Sequence, residues 1–107
     1  MTNEFGKPLD RNGYAPRLIY WPEERCFICG RADRPIQRHE VFHGPYREKS
    51  KRYGCWVGVC DYCHTKIHKG EDMLETKLKG IHQKKAMREY GWTEEQFREI
   101  FGKSYWE

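Results

Sequence analysis

Two cysteines and two histidines fall within the nine residues "CDYCHTKIH" (60–68), and all four are side chains that bind metal ions. Cys60 and Cys63 form a C-x2-C pair. A second pair, Cys26 and Cys29, precedes it, with residues 30–59 between the two. Two such knuckles read as a four-thiolate zinc site. Four thiolates complete a tetrahedral shell, which leaves His64 and His68 without a task there. On a helix, residues four apart share a face at roughly 6 Å, so His64 and His68 can hold one ion together. Cys63 is offset from them by about 100° around the helix. The spacing therefore favours two ions over one: a closed structural site and a second, open one. Candidate partners for the second lie in "RHEVF" (38–42), namely His39 and Glu40, with His43 just beyond.

Local elements must bring these groups together. "PIQRHEVF" (35–42) and "CWVGV" (55–59) are rich in β-branched and aromatic residues and read as two strands of an antiparallel hairpin. Between them "HGPYREKSKRYG" (43–54) reads as a basic loop broken at Gly44-Pro45. "CFICGR" (26–31) reads as a knuckle at a hairpin tip, with Gly30 permitting the turn. A short helix opens at Cys60 and ends near Gly70. Residues 71–91 carry Leu74, Leu78 and Ile81 as a helical stripe. Thr93 and Gln96 form a capping-box pattern ahead of a helix that shows Phe97, Ile100 and Phe101 on one face. The organisation expected is an arm over 1–25, a metal-stapled core over 26–70, and a C-terminal helical extension over 71–107 that packs on the core. In the arm, "LIYW" (18–21) is the one apolar patch. The fold class is small α+β.

The 107 residues suffice for one domain, but 37% are hydrophobic and 34% charged, so the core must be thin and a metal staple valuable. "MTNEFGKPLD" carries no apolar run, and no segment approaches the roughly 20 apolar residues of a membrane span. A cytoplasmic protein is expected, without membrane contact, in which the paired cysteines hold zinc rather than form disulfides. Cys55, the unpaired one, reads as a small buried apolar residue. Net charge is +4, compatible with a polyanionic partner.

The combination "CFIC…RHEVF…CDYCHTKIH" resembles the HNH nucleases over residues 26–68, and a looser similarity to small HNH-type bacteriophage proteins runs to about residue 106. The resemblance implies a ββα-metal core, treble-clef-like around a four-cysteine zinc, that hydrolyses DNA phosphodiester bonds as an endonuclease or nickase. It also implies a catalytic divalent ion, Mg²⁺, Mn²⁺ or another transition metal. His64 and His68 map onto its ligands. The hairpin pair of the family, one ligand and one histidine base, maps onto His39 and Glu40. The family order would make Glu40 the base, but a carboxylate of ordinary pKa, about 4.3, is a weak base for water. The reverse assignment suits the chemistry better: His39 as base and Glu40 as a hard oxygen ligand. Both can serve one site only if the strand bends, because adjacent strand residues point to opposite faces.

Arg47, Lys51 and Arg52 are the expected DNA phosphate contacts, which salt should weaken. Trp56, Tyr62, Trp92 and Trp106 could stack on bases or pack inside. The family's middle Asn has no counterpart, since no Asn follows Asn12. That departure and Glu40 support an alternative: a zinc-stapled nucleic-acid-binding module with a degenerate, inactive site. The aromatic C-terminal helix is the feature through which phage packaging or replication proteins could be partners.

Overall fold

The computed structural model describes residues 1–105, so Trp106 lies outside the described residues. Strand β1 (Ile36–Glu40) pairs antiparallel with β2 (Trp56–Cys60), with Ile36 opposite Cys60, His39 opposite Val57 and Glu40 opposite Trp56. Alternation sets two faces. One carries Gln37, His39, Val57 and Val59, and both valines are buried. The other carries Arg38, Glu40, Trp56 and Gly58.

The basic connection is not a plain loop. It holds a 3-10 turn at Gly44–Tyr46 and a helix, α1 (Arg47–Arg52). Pro45 suits the first turn of a helical segment, and "REKSKR" is made mostly of good helix formers. The deciding residue is Ser50, which is fully buried. Its hydroxyl donates to the Cys55 carbonyl at 2.5 Å and accepts from the Phe42 amide at 3.0 Å, tying α1 to both strand ends.

Helix α2 (Asp61–His68) follows β2 directly, and its N-terminus is capped by sulfur, with the Cys63 amide donating to Cys60 Sγ at 3.4 Å. The expected continuous helix over 71–91 is broken. Asp72 and Met73 adopt left-handed φ of 53° and 55°, and α3 begins only at Leu74, running to Tyr90. Its buried face is Leu78, His82, Gln83, Ala86 and Tyr90, whereas Ile81 is 44% exposed. Helix α4 (Glu94–Phe101) has the expected capping box, with reciprocal bonds of 3.1 and 2.8 Å between Thr93 and Gln96.

Phe97 and Phe101 of α4 meet Phe42, which lies just past β1, with ring centroids 5.5 and 4.4 Å away. Tyr53, Tyr90 and Trp92 extend this aromatic cluster. One core thus joins hairpin and C-terminal helices. Cys55 is buried in it, and burial pushes its thiol up.

The N-terminal arm is bonded to this body. Asn3, itself buried, donates to the Arg52 carbonyl at 2.9 Å. The Ala15 and Leu18 amides donate to the carbonyls of Lys51 and Gly54. Trp56 Nε1 donates to the Ala15 carbonyl at 2.8 Å. Within "LIYW", Leu18 packs against the core while Tyr20 stays 84% exposed. Among the described residues, no helix is long and apolar enough to cross a membrane.

Candidate metal centres

Two clusters of metal-binding side chains flank α2. In the first, the sulfurs of Cys26, Cys29, Cys60 and Cys63 all lie within 4.8 Å of one another, and the four could hold a metal ion. All are free thiols. Local backbone builds the cluster. The Gly30 amide donates to the Cys26 carbonyl at 2.9 Å in a turn closed by Gly30 at φ 75°. Each knuckle then aims an amide at its first sulfur, Ile28 at Cys26 and Cys63 at Cys60, both at 3.4 Å. Burial raises the Cys26 thiol, but amide donors outweigh it and bring Cys26 down to about 7. Burial and the neighbouring thiols push Cys63 up. Such N–H···S contacts favour thiolate, the form that binds metal.

The second cluster is His39, His64 and His68, one ring nitrogen from each lying within 4.8 Å of the others. His64 and His68 approach through their Nε2 atoms at 3.0 Å. His39 reaches them from β1, with ring centroids 5.3 and 5.8 Å away. It is only 4% exposed, and its Nε2 has no hydrogen-bond partner among the described residues. An orphaned buried nitrogen is costly unless something binds it. His64 Nδ1 sits 2.9 Å from Gln37 Oε1, so Nδ1 carries the proton and Nε2 is left as a lone pair. Burial, then the neighbouring histidines, lowers His39 to about 4. Burial and His68 also lower His64. Neutral imidazoles crowded together are the donor set a transition-metal ion needs.

Glu40 stands apart from this group. Its carboxylate accepts from Tyr14 Oη at 2.6 Å and pairs with Arg47 Nε at 2.8 Å. Burial, reinforced by Glu40, raises Tyr14 to about 12, so Tyr14 keeps its proton as a donor. The structure thus groups the hairpin pair differently from the sequence expectation. His39 joins the ligand cluster on the α2 side, and Glu40 turns to the arm side, as strand alternation dictates. Both still open onto one cleft of about 410 Å³, with Arg38 and Arg47 also lining it. His43 lines it too and bonds to Glu75.

Of the expected phosphate contacts, only Arg47 lines this cleft. Lys51 lies 4.9 Å over the Tyr14 ring and 3.4 Å from Glu48, and Arg52 pairs with Glu4 at 2.9 Å. Trp92 packs on Tyr53 and Tyr90, while Tyr62 is exposed. Tyr14 and Gln37 were not among the expected site residues. Gln37 carried a signal, since it lies two residues before His39 on the same strand face. Tyr14 carried none.

Comparison of the chain with protein-family models, with curated proteins and with solved structures finds no match.

Proposed function

We propose that this protein is a metal-dependent DNA endonuclease or nickase of the HNH type, with a ββα-metal core stapled by zinc and acting in the cytoplasm. The observation that carries the reading is the convergence of His39, His64 and His68 around a buried, unpartnered nitrogen, beside a carboxylate held by two donors. In this reading Cys26, Cys29, Cys60 and Cys63 hold structural zinc and do no chemistry. His39, His64 and His68 hold a divalent ion. When bound, that ion supplies Lewis-acid stabilisation of charge on the scissile phosphate and leaving oxygen. Gln37 fixes the His64 tautomer. Glu40, held by Tyr14 and Arg47 at the cleft, accepts a hydrogen bond from the attacking water and orients it, and that water, acidified by the bound ion, needs no strong base. Arg47, at the cleft mouth with a side chain 59% exposed, contacts a flanking phosphate.

The donor set modifies the metal expectation. Three imidazoles suit Mn²⁺, Ni²⁺, Co²⁺ or Zn²⁺ better than Mg²⁺, which prefers oxygen. Supercoiled plasmid incubated with each ion tests the reading. Nicking with transition metals is expected, and His39→Ala and His68→Ala should abolish it. A folded, zinc-loaded wild type that binds DNA yet leaves plasmid intact with every ion would establish the inactive binding module instead. The absence of an Asn counterpart and the double hold on Glu40 are what favour that second reading.

A further inference from the structure

The arm-side face of the hairpin forms a second hollow beside the histidine cleft. It measures about 510 Å³ and lies between the arm and the strands. Tyr14 and Arg38 line both spaces, so the two are adjacent. A smaller extension of about 190 Å³ runs on past Arg17 and Gly58. Gly58 keeps this floor low: a Cβ there would stand 2.7 Å from Ile36 Cγ2. The walls are planar cations stacked on rings. The Arg38 guanidinium lies 4.3 Å over Tyr14 and 4.9 Å over Trp56, and Arg17 lies 5.1 Å over Trp56. Tyr20 stands at the rim, 84% exposed, an aromatic ring that the fold leaves uncovered.

We propose that this groove binds an unpaired DNA strand beside the cleaved phosphate, so that the preferred substrate carries a single-stranded flank. The place beside a cleaved phosphate rests on the nuclease reading; the binding of the strand does not. Two features argue for a single strand, and a third supplies affinity. The volume suits a ligand of nucleotide size, far short of a duplex. Rings and guanidinium planes stack on bases only when those bases are unstacked from their own helix. The arginines supply the phosphate contacts. In the free protein each arginine leans on a carboxylate: Arg38 on Asp10 at 3.1 Å, and Arg17 on Glu23 at 3.8 Å. Arg38–Asp10 is a surface pair of small worth, and Glu23 reaches the largely buried Arg17 from solvent at a long 3.8 Å, so a DNA phosphate can take the place of either carboxylate. Glu23, 91% exposed, is therefore a competitor for the ligand.

Fluorescence anisotropy with a labelled oligothymidylate of roughly twelve nucleotides, long enough for a typical single-strand site, tests this against a blunt duplex of equal length. The full chain should bind the oligonucleotide more tightly than the duplex. Tyr20→Ala should weaken that binding about tenfold, within the range for loss of one base–aromatic stack. Arg17→Ala should weaken it and lower the salt slope by about 0.7, the value for one single-strand phosphate. Glu23→Gln should tighten it. Because Tyr20 and Glu23 are exposed, neither change threatens the fold. Equal affinity of wild type and Tyr20→Ala, or duplex bound as tightly as the oligonucleotide, overturns the proposal. The same titrations in His68→Ala separate the two claims. Tyr20-dependent binding retained there, with wild type leaving intact both plasmid and a duplex that carries a single-stranded flank, supports the groove and removes only the nuclease reading.

Discussion

The cysteine cluster and the histidine cluster share α2, yet they are built on opposite principles. Three of the four cysteines are buried, and in each knuckle a backbone amide points at the first sulfur. Everything the cluster needs lies within two short turns. The histidines open onto a cleft, and side chains from distant segments orient what surrounds them: Gln37 from β1, Tyr14 from the arm and Arg47 from α1. A closed, locally built site suits stability, and an open site assembled from many segments suits chemistry. A chain with so thin a core can place both beside one eight-residue helix because the two ligand sets occupy different helical faces.

Breaking the first site should have the largest effect. Structural zinc contributes about 10–16 kcal/mol in small domains, comparable with or above the roughly 5–15 kcal/mol that holds a whole domain folded. Cys26→Ser and Cys60→Ser should therefore abolish cooperative thermal unfolding by circular dichroism, and zinc should be lost by native mass spectrometry. A variant that still melts cooperatively near the wild-type temperature would show that the cysteines are not the staple. His68→Ala should behave in the opposite way. Its side chain is exposed, so the melt should barely move, while plasmid nicking falls at least about a hundredfold, beyond the usual loss for an outer-shell change. If instead His68→Ala unfolds the protein, the division of labour between the two clusters fails.

The two sites also differ in how far the amino-acid order reveals them. C-x2-C and C-H-x3-H are local spacings, and local geometry turns spacing directly into proximity. The Thr93–Gln96 capping box was legible for the same reason. Tyr14 was not, because its bond to Glu40 joins an irregular arm to a strand and leaves no periodic trace. Helix α1 was hidden because a charged run reads as solvated loop, whereas the buried Ser50 hydroxyl and the arm's bonds to the Lys51 and Arg52 carbonyls anchor it. The stripe Leu74–Leu78–Ile81 differs from the structure at its start and in its buried face. The left-handed pair Asp72–Met73 delays the helix, and its buried face is completed by two polar residues, His82 and Gln83, that a hydrophobic pattern skips.

Gln37→Ala sharpens the comparison on the histidine side. Outer-shell partners of a ligating histidine typically contribute 10–100-fold in metal affinity or activity. Gln37 is exposed and bonds only to His64 among the bonds described, so the fold should be untouched. Nicking activity titrated against Mn²⁺ should shift to about 10–100-fold higher metal, and Gln37→Glu should restore most of it. An unchanged titration would show that the His64 tautomer is set by the metal alone.

The smallest expected effect separates a ligand histidine from one that is merely buried. His39 and His82 each have a buried Nε2 without a hydrogen-bond partner among the described residues. His39 has two other imidazoles beside that atom. His82 has none: its Nδ1–H donates to the Leu78 carbonyl at 2.8 Å, and Phe27 lies beside its ring. Burial lowers His82 to about 4, below the roughly 6.5 of an unfolded chain. Between these values the unfolded chain binds a proton that the folded protein refuses. Stability from this residue is thus complete above about pH 6.5 and falls as pH drops toward 4, by about 1 kcal/mol at pH 5.5. Chemical unfolding of wild type and His82→Leu at pH 7.5 and 5.5 isolates the contribution, because acid acts on the thiolates equally in both. The wild type should lose about 1 kcal/mol more than the variant over that interval. Equal losses would mean that His82 accepts its proton in the folded state, and that burial alone does not keep a histidine neutral in this core.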